Sequence, residues 1–174
     1  MANYAPSTRA RIADCITGMR VETGVLDAAD YLKTGPTATE DIFNVYGRIK
    51  VMQLFMEVVT VFGNQACVMY YTYTSDTPGE TVQPISAVSG TMALMIQGER
   101  HLCLGTSVAT ACVVDSAAQG ISQLIMKEKL ILGAKGGFGN IGINTATATV
   151  ATGTIKFSLF YVPMSDGAYA TNVV

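Results

Sequence analysis

Residues 41–62 read DIFNVYGRIKVMQLFMEVVTVF, and the facing of their apolar side chains decides the fold class. Phe43, Val45, Ile49 and Val51 share one parity, whereas Leu54, Met56, Val58 and Phe62 share the other. Each half alternates as a half-buried strand does, with one face toward a core and one toward solvent. The phase flips near Met52-Gln53, where a single extra residue, a β-bulge, returns both halves to the same face. Met, Leu and Glu within residues 51–62 also favour a helix, but the β-branched ending VVTVF argues for a strand.

The same pattern extends outward in both directions. ACVMYYTYTSD (66–76) is dense in aromatic and β-branched residues and predicts a strand, joined to the preceding run by GNQ (63–65) as a tight hairpin. SDTPGET (75–81) is a turn. VQPISAVSGTMALMI (82–96), HLCLG (101–105) and SVATACVV (107–114) supply further strands, with QGER (97–100) as a turn. Residues 117–127 read as one or two helical turns broken by Gly120, and KLILGA (129–134) as a strand. In TIKFSLFYVP (154–163), Ile155, Phe157, Leu159 and Tyr161 occupy one face and Lys156, Ser158, Phe160 and Val162 the other, with Pro163 ending the strand. Residues 1–40 have sparse apolar positions and read as an extended N-terminal arm with one short strand and a short helix over 27–32, stopped by Gly35-Pro36. About eight short strands between Gly, Pro and Asp turns, without helical crossovers, predict an all-β chain. The expected architecture is an antiparallel β-sandwich of jelly-roll type over residues 41–174, with residues 1–40 as its arm.

The chain has 174 residues, enough for one domain with its own core. Charged residues make up 14%, against about 25% in typical soluble domains, which implies that much of the surface faces other protein. The net charge is −2 and the eleven Lys and Arg are scattered, so no basic stripe suits a phosphate backbone and nucleic acid is not an expected partner. Arg9, Arg11 and Arg20 form a modest basic trio near the N-terminus, equally compatible with a solvated arm. Cys15, Cys67, Cys103 and Cys112 lack metal-ligand spacing, and three of them lie in apolar runs where cysteine packs as a small hydrophobe. The opening MANYAPSTRARIAD has no apolar stretch of signal-peptide length, and no apolar run reaches membrane-spanning length. Synthesis in a reducing cytoplasm, without secretion or membrane insertion, is therefore the expectation.

Candidate chemistry is sparse. Gly137-Phe138-Gly139-Asn140-Ile141-Gly142 matches G-x-G-x-x-G, but its continuation is strand-like, where a dinucleotide site needs a helix N-terminus. The match reads as a Gly-rich loop. Gly105-Thr106-Ser107-Val108-Ala109 lacks the last glycine of a nucleophile elbow, and the sole histidine, His101, precedes the serine with no orienting acid indicated. The pair Glu40-Asp41 reads as part of a turn. Glu57, in an apolar run, is expected to pair with a Lys or Arg on a neighbouring strand or across a subunit contact. No catalytic residue, metal site or cofactor is expected, and the chain reads as non-enzymatic.

Three segments carry a family resemblance: IFNVYGRIKVMQLFMEVVTVF (42–62), VQPISAVSGTMALMIQGE (82–99) and TGTIKFSLFYVPMSDGAYAT (152–171). The last resembles the closing strand of tailed-bacteriophage capsid-associated proteins, in which Gly-Thr/Ser-Ile-Lys leads to Tyr-x-Pro-x-x-Asp-Gly-Ala. The resemblance implies a capsid decoration (cement) protein, a virion structural protein that binds the major capsid protein on the outer capsid surface as a homotrimer. Arg9, Arg11 and Arg20 would then belong to a capsid-contact arm. A tail-tube or head–tail connector subunit, and a glycan-binding fibre-type sandwich using Tyr70, Tyr71 and Tyr73, remain open alternatives.

Overall fold

A computed structural model describes residues 18–33, 39–63, 67–76, 81–86, 95–103, 113–115 (backbone), 130–134, 136–145, 150 and 152–173. The strands are β1 (Met19–Glu22), β2 (Leu26–Asp27), β3 (Thr39–Tyr46), β4 (Ile49–Thr60), β5 (Met69–Ser75) and β6 (Gln83–Pro84). They continue with β7 (Arg100–Cys103), β8 (Val113–Asp115), β9 (Ile131–Leu132), β10 (Phe138–Thr145), β11 (Thr154–Pro163) and β12 (Tyr169–Asn172). One short helix, α1 (Ala28–Tyr31), has Asp27 as its N-cap, the carboxylate accepting from the Ala29 N–H at 3.0 Å. The predicted turn of helix over 27–32 and a short strand upstream of it are both present. Residues 1–17 of the expected arm, Arg9 and Arg11 among them, lie outside the described residues, as does the predicted helix over 117–127.

The strands form two antiparallel sheets. Sheet A runs β1-β11-β4-β7-β8, with β2 also on β11 and β9 also on β4; sheet B runs β12-β3-β10-β5-β6. Their inner faces make one core. β4 and β11 contribute Val51, Leu54, Met56, Val58, Ile155, Phe157, Leu159 and Tyr161; sheet B contributes Phe43, Val45, Met69, Tyr71, Ile141 and Ile143. This is the antiparallel sandwich that the alternation predicts.

The parity flip in residues 41–62 has the predicted cause. Phe160 pairs with Gln53 and Tyr161 with Val51, so Met52 is the extra residue of a bulge that keeps Val51 and Leu54 on the same buried face. A second register shift, at Val59, bends the other end of β4, and a third, at Ile42, lies in β3. The run is nevertheless not one strand. It breaks at Gly47, whose φ of 70° suits glycine and where a Cβ would sit 2.9 Å from Ser165 Oγ and 3.0 Å from Ala168 Cβ. Here the chain leaves sheet B and enters sheet A.

Three expectations are corrected. β4 and β5 belong to different sheets, so GNQ does not close a hairpin between them. Glu40 and Asp41 lie within β3 rather than in a turn, because the ladder with β10 extends to Thr39. The Gly-rich stretch 137–142 is not a loop: residues from Phe138 onward form β10, in the middle of sheet B. Its glycines serve close packing. A Cβ on Gly139 would run into the Tyr73 hydroxyl and sit 2.7 Å from the Thr74 carbonyl oxygen.

Gly139→Ala is therefore expected to destabilise the fold by roughly 1–3 kcal/mol through overpacking, lowering the urea midpoint without changing the slope. Deleting Met52 would leave Val51 and Leu54 two positions apart on one face of an unbulged strand, so a cooperative unfolding transition is expected to persist by circular dichroism.

Candidate functional site

The outer face of sheet A carries a band of paired charges and rings. Arg20, on β1 opposite Phe160, lies with its guanidinium carbon 5.1 Å from the Phe160 ring centroid and bonds Glu22. Phe160 stacks with Phe55 at a centroid distance of 6.3 Å, and Arg100 on β7 lies 5.2 Å over the Phe55 ring. Arg100 Nε donates to Glu57 at 3.1 Å, the cross-strand ion pair expected of Glu57. Glu22 also accepts from Lys156 Nζ at 2.9 Å and from the Ser158 hydroxyl at 2.8 Å. Burial opposes ionisation of Glu22, but these hydrogen bonds and the charges of Arg20 and Lys156 outweigh it and hold the carboxyl below its usual range. Arg20, Arg100 and Lys156 thus each have a carboxylate partner, Glu22 serving two of them.

Among the described residues, those with catalytic potential are not assembled into a site. His101 faces the core on β7, fully buried, and neither ring nitrogen has a hydrogen-bond partner. Ser107 lies outside the described residues. The glycine motif sits on a strand rather than at a helix N-terminus, so it offers no backbone cradle for a pyrophosphate. Among the described residues no group of three His, Cys, Asp or Glu converges for a metal. Cys67 and Cys103 are buried free thiols, and burial pushes Cys67 up to about 11, well away from the thiolate range. Of the tyrosines suggested for a glycan site, Tyr71 is in the core and Tyr73 packs over Gly139; Tyr70 is half-buried.

The feature not anticipated from sequence lies at one end of the sandwich, around the Gly47–Arg48 corner. Three distant pieces of chain meet there. The Met164 N–H donates to the Arg48 carbonyl at 2.8 Å, the Arg48 N–H to Ser165 Oγ at 3.0 Å, and the Gly47 N–H to the Gly137 carbonyl at 2.7 Å. β9 flanks the start of β4, with Ile131 opposite Lys50. On the neighbouring face of sheet B, Tyr46 stacks on Tyr169 at 4.5 Å and contacts Phe138 at 4.9 Å. Ile131 (52% exposed), Met164 (49%) and Tyr169 (43%) thus surround this end with apolar surface. Each is unremarkable in its own segment; only the corner brings them to one end.

Neither models of protein families nor curated proteins nor solved structures give a match to this chain.

The Glu22 cluster sets a pH-dependent increment of stability. Because its carboxyl is held below the ordinary value, the increment is present above that value and lost as pH falls through the lowered one. Glu22→Gln is expected to cost about 1 kcal/mol at pH 7, typical of a partly exposed ion pair, and progressively less as pH falls below the ordinary carboxylate range, as chemical denaturation over a pH series would reveal.

Proposed function

We propose that this chain is a structural subunit of a phage virion, a decoration (cement) protein. It would bind the major capsid protein on the outer capsid surface as a homotrimer and steady neighbouring capsomers. The observation that carries this reading is the apolar end at the Gly47–Arg48 corner, with Ile131, Met164 and Tyr169 each close to half exposed. Two segments of the family resemblance, 42–62 and 152–171, supply β3, β4, β11 and β12, the strands that form this corner. The low charge content supports the same reading, since a lattice-bound subunit covers its surface with protein rather than with hydrated charge. Closure as a trimer would also shield strands at the sheet edges. Arg20 pairs with Glu22 on β1, which favours a structural part for it over a free capsid-contact charge.

Light scattering of the purified chain, together with co-sedimentation on undecorated capsids, tests the proposal. A trimer mass and saturable capsid binding are expected. A hexameric or dodecameric ring would favour the tail-tube or connector alternative, and a monomer that ignores capsids would remove the proposal. Ile131→Glu combined with Met164→Glu is expected to reduce assembly or capsid binding at least tenfold. Its thermal midpoint should stay near that of the parent, because exposed positions usually contribute within about 0.5 kcal/mol.

A further inference from the structure

β7 turns one polar side chain into the sandwich. Arg100 and Leu102 lie on the opposite face of the strand, Leu102 buried there, whereas Cys103 and His101 face inward, and His101 is 0% exposed. Its Nδ1 and Nε2 both lack a hydrogen-bond partner, an unusual condition for a wholly buried polar ring. Its surroundings are apolar or neutral. On β4 its register partner is Met56, and the inward residues on either side are Leu54 and Val58. From β5, Tyr71 faces it at a ring distance of 6.3 Å, and the Tyr71 hydroxyl donates to the His101 carbonyl at 3.0 Å. Beyond β6 lie Ile85 and Ser86; the Cys103 thiol points to the Ile85 carbonyl at 3.9 Å. On β8 the register partner is Val114, with Asp115 opposite Arg100. Among the described residues, then, the titratable groups facing the ring are Tyr71 and Cys103, and the ion pair Arg100–Glu57 is on the opposite face of the sheet.

β7 spans four residues; its ladder with β4 covers Leu54–Glu57 and runs on past its start, where the Val58 N–H donates to the Glu99 carbonyl at 2.9 Å and the Gly98 N–H to the Val58 carbonyl at 2.8 Å, and among the described residues β8 is the strand outside it.

We propose that His101 is an acid-sensitive latch: protonation of its imidazole makes the buried position untenable and releases β7, together with β8, from the edge of sheet A. Among the described residues an imidazolium there would have no carboxylate and no acceptor, so the ring gains its proton by moving to water. Opening would uncover the inner faces of Met56 and Tyr71, giving the subunit an apolar surface that is hidden at neutral pH. Burial lowers His101 from 6.5 to about 4. The closed form is therefore fully favoured above pH 6.5. Its advantage falls about tenfold for each pH unit below that, levelling off near pH 4. Glu22 stays ionised through the upper part of this window, and Asp41, raised by burial despite a hydrogen bond from Asn140, shifts stability in the opposite sense.

Because His101 is the only histidine, its titration can be read without assignment ambiguity. The test is amide hydrogen exchange at pH 7.5 and 5.0, corrected for intrinsic rates, on the intact chain. Protection at residues 101–103 is expected to fall about 30-fold, while the β4–β11 ladder keeps its protection. His101→Met is expected to abolish this pH dependence. Unchanged protection at 101–103, a uniform loss over both sheets, or the same pH dependence in His101→Met would overturn the proposal. Should the variant fail to fold, the imidazole resonances of the unsubstituted chain decide it: a folded-state midpoint near 6.5 overturns the latch, and one well below 6 supports it.

Discussion

The antiparallel pairing of β4 with β11, from Ile49–Pro163 to Thr60–Thr154, is the constraint on which the rest of the structure depends. The two strands lie side by side in sheet A and carry two long buried rows, Val51, Leu54, Met56 and Val58 beside Ile155, Phe157, Leu159 and Tyr161. Each large side chain of this kind contributes about 1.5–3 kcal/mol on burial, so the ladder and its facing are worth far more than any single ion pair on the surface. The bulge at Met52 is what lets one long strand remain in register over its whole length with one face inward. β1 and β2 attach to the free edge of β11, and β7 and β9 to the free edge of β4.

Two tyrosines tie the sheets together across the core. Tyr161, from sheet A, accepts the Ala170 N–H of edge strand β12 at 3.0 Å; Tyr71, from sheet B, donates to the His101 carbonyl of β7 at 3.0 Å. Each supplies a large apolar ring to the interior and spends its one polar atom on the backbone of a peripheral strand of the opposite sheet. The hydroxyls are satisfied, and the peripheral strands are held. His101 is the contrasting case: it sits in the same interior with its ring nitrogens unsatisfied, and its fit depends on staying neutral.

Charge is arranged on the opposite principle. Arg20, Arg100 and Lys156 are on the outer face of sheet A, where Glu22 and Glu57 pair with them and the rings of Phe160 and Phe55 support the two guanidinium groups. The corner at Gly47–Arg48 is one end where exposed aliphatic and aromatic groups lie beside the charges of Arg48, Lys50 and Asp166, while Val25, Val61 and Ile96 are exposed elsewhere.

What the residues determined unaided was local. Alternation in 154–163 identified the buried row of β11 residue by residue, the parity flip at Met52-Gln53 located a bulge, and the apolar context of Glu57 anticipated its ion pair, because pleating fixes side-chain facing within a few residues of chain. What only the tertiary structure decided was partnership. Nothing in GNQ says that β4 and β5 lie in different sheets. Nothing in the spacing of the 137–142 glycines says that they clear space for Tyr73, Thr39 and Thr72 rather than for a loop. The apolar end around Gly47–Arg48 and the unpartnered core position of His101 were invisible for the same reason. Each is made by segments far apart in sequence, and which strand edges meet is settled by the collective burial of both sheets rather than by any run of neighbouring residues.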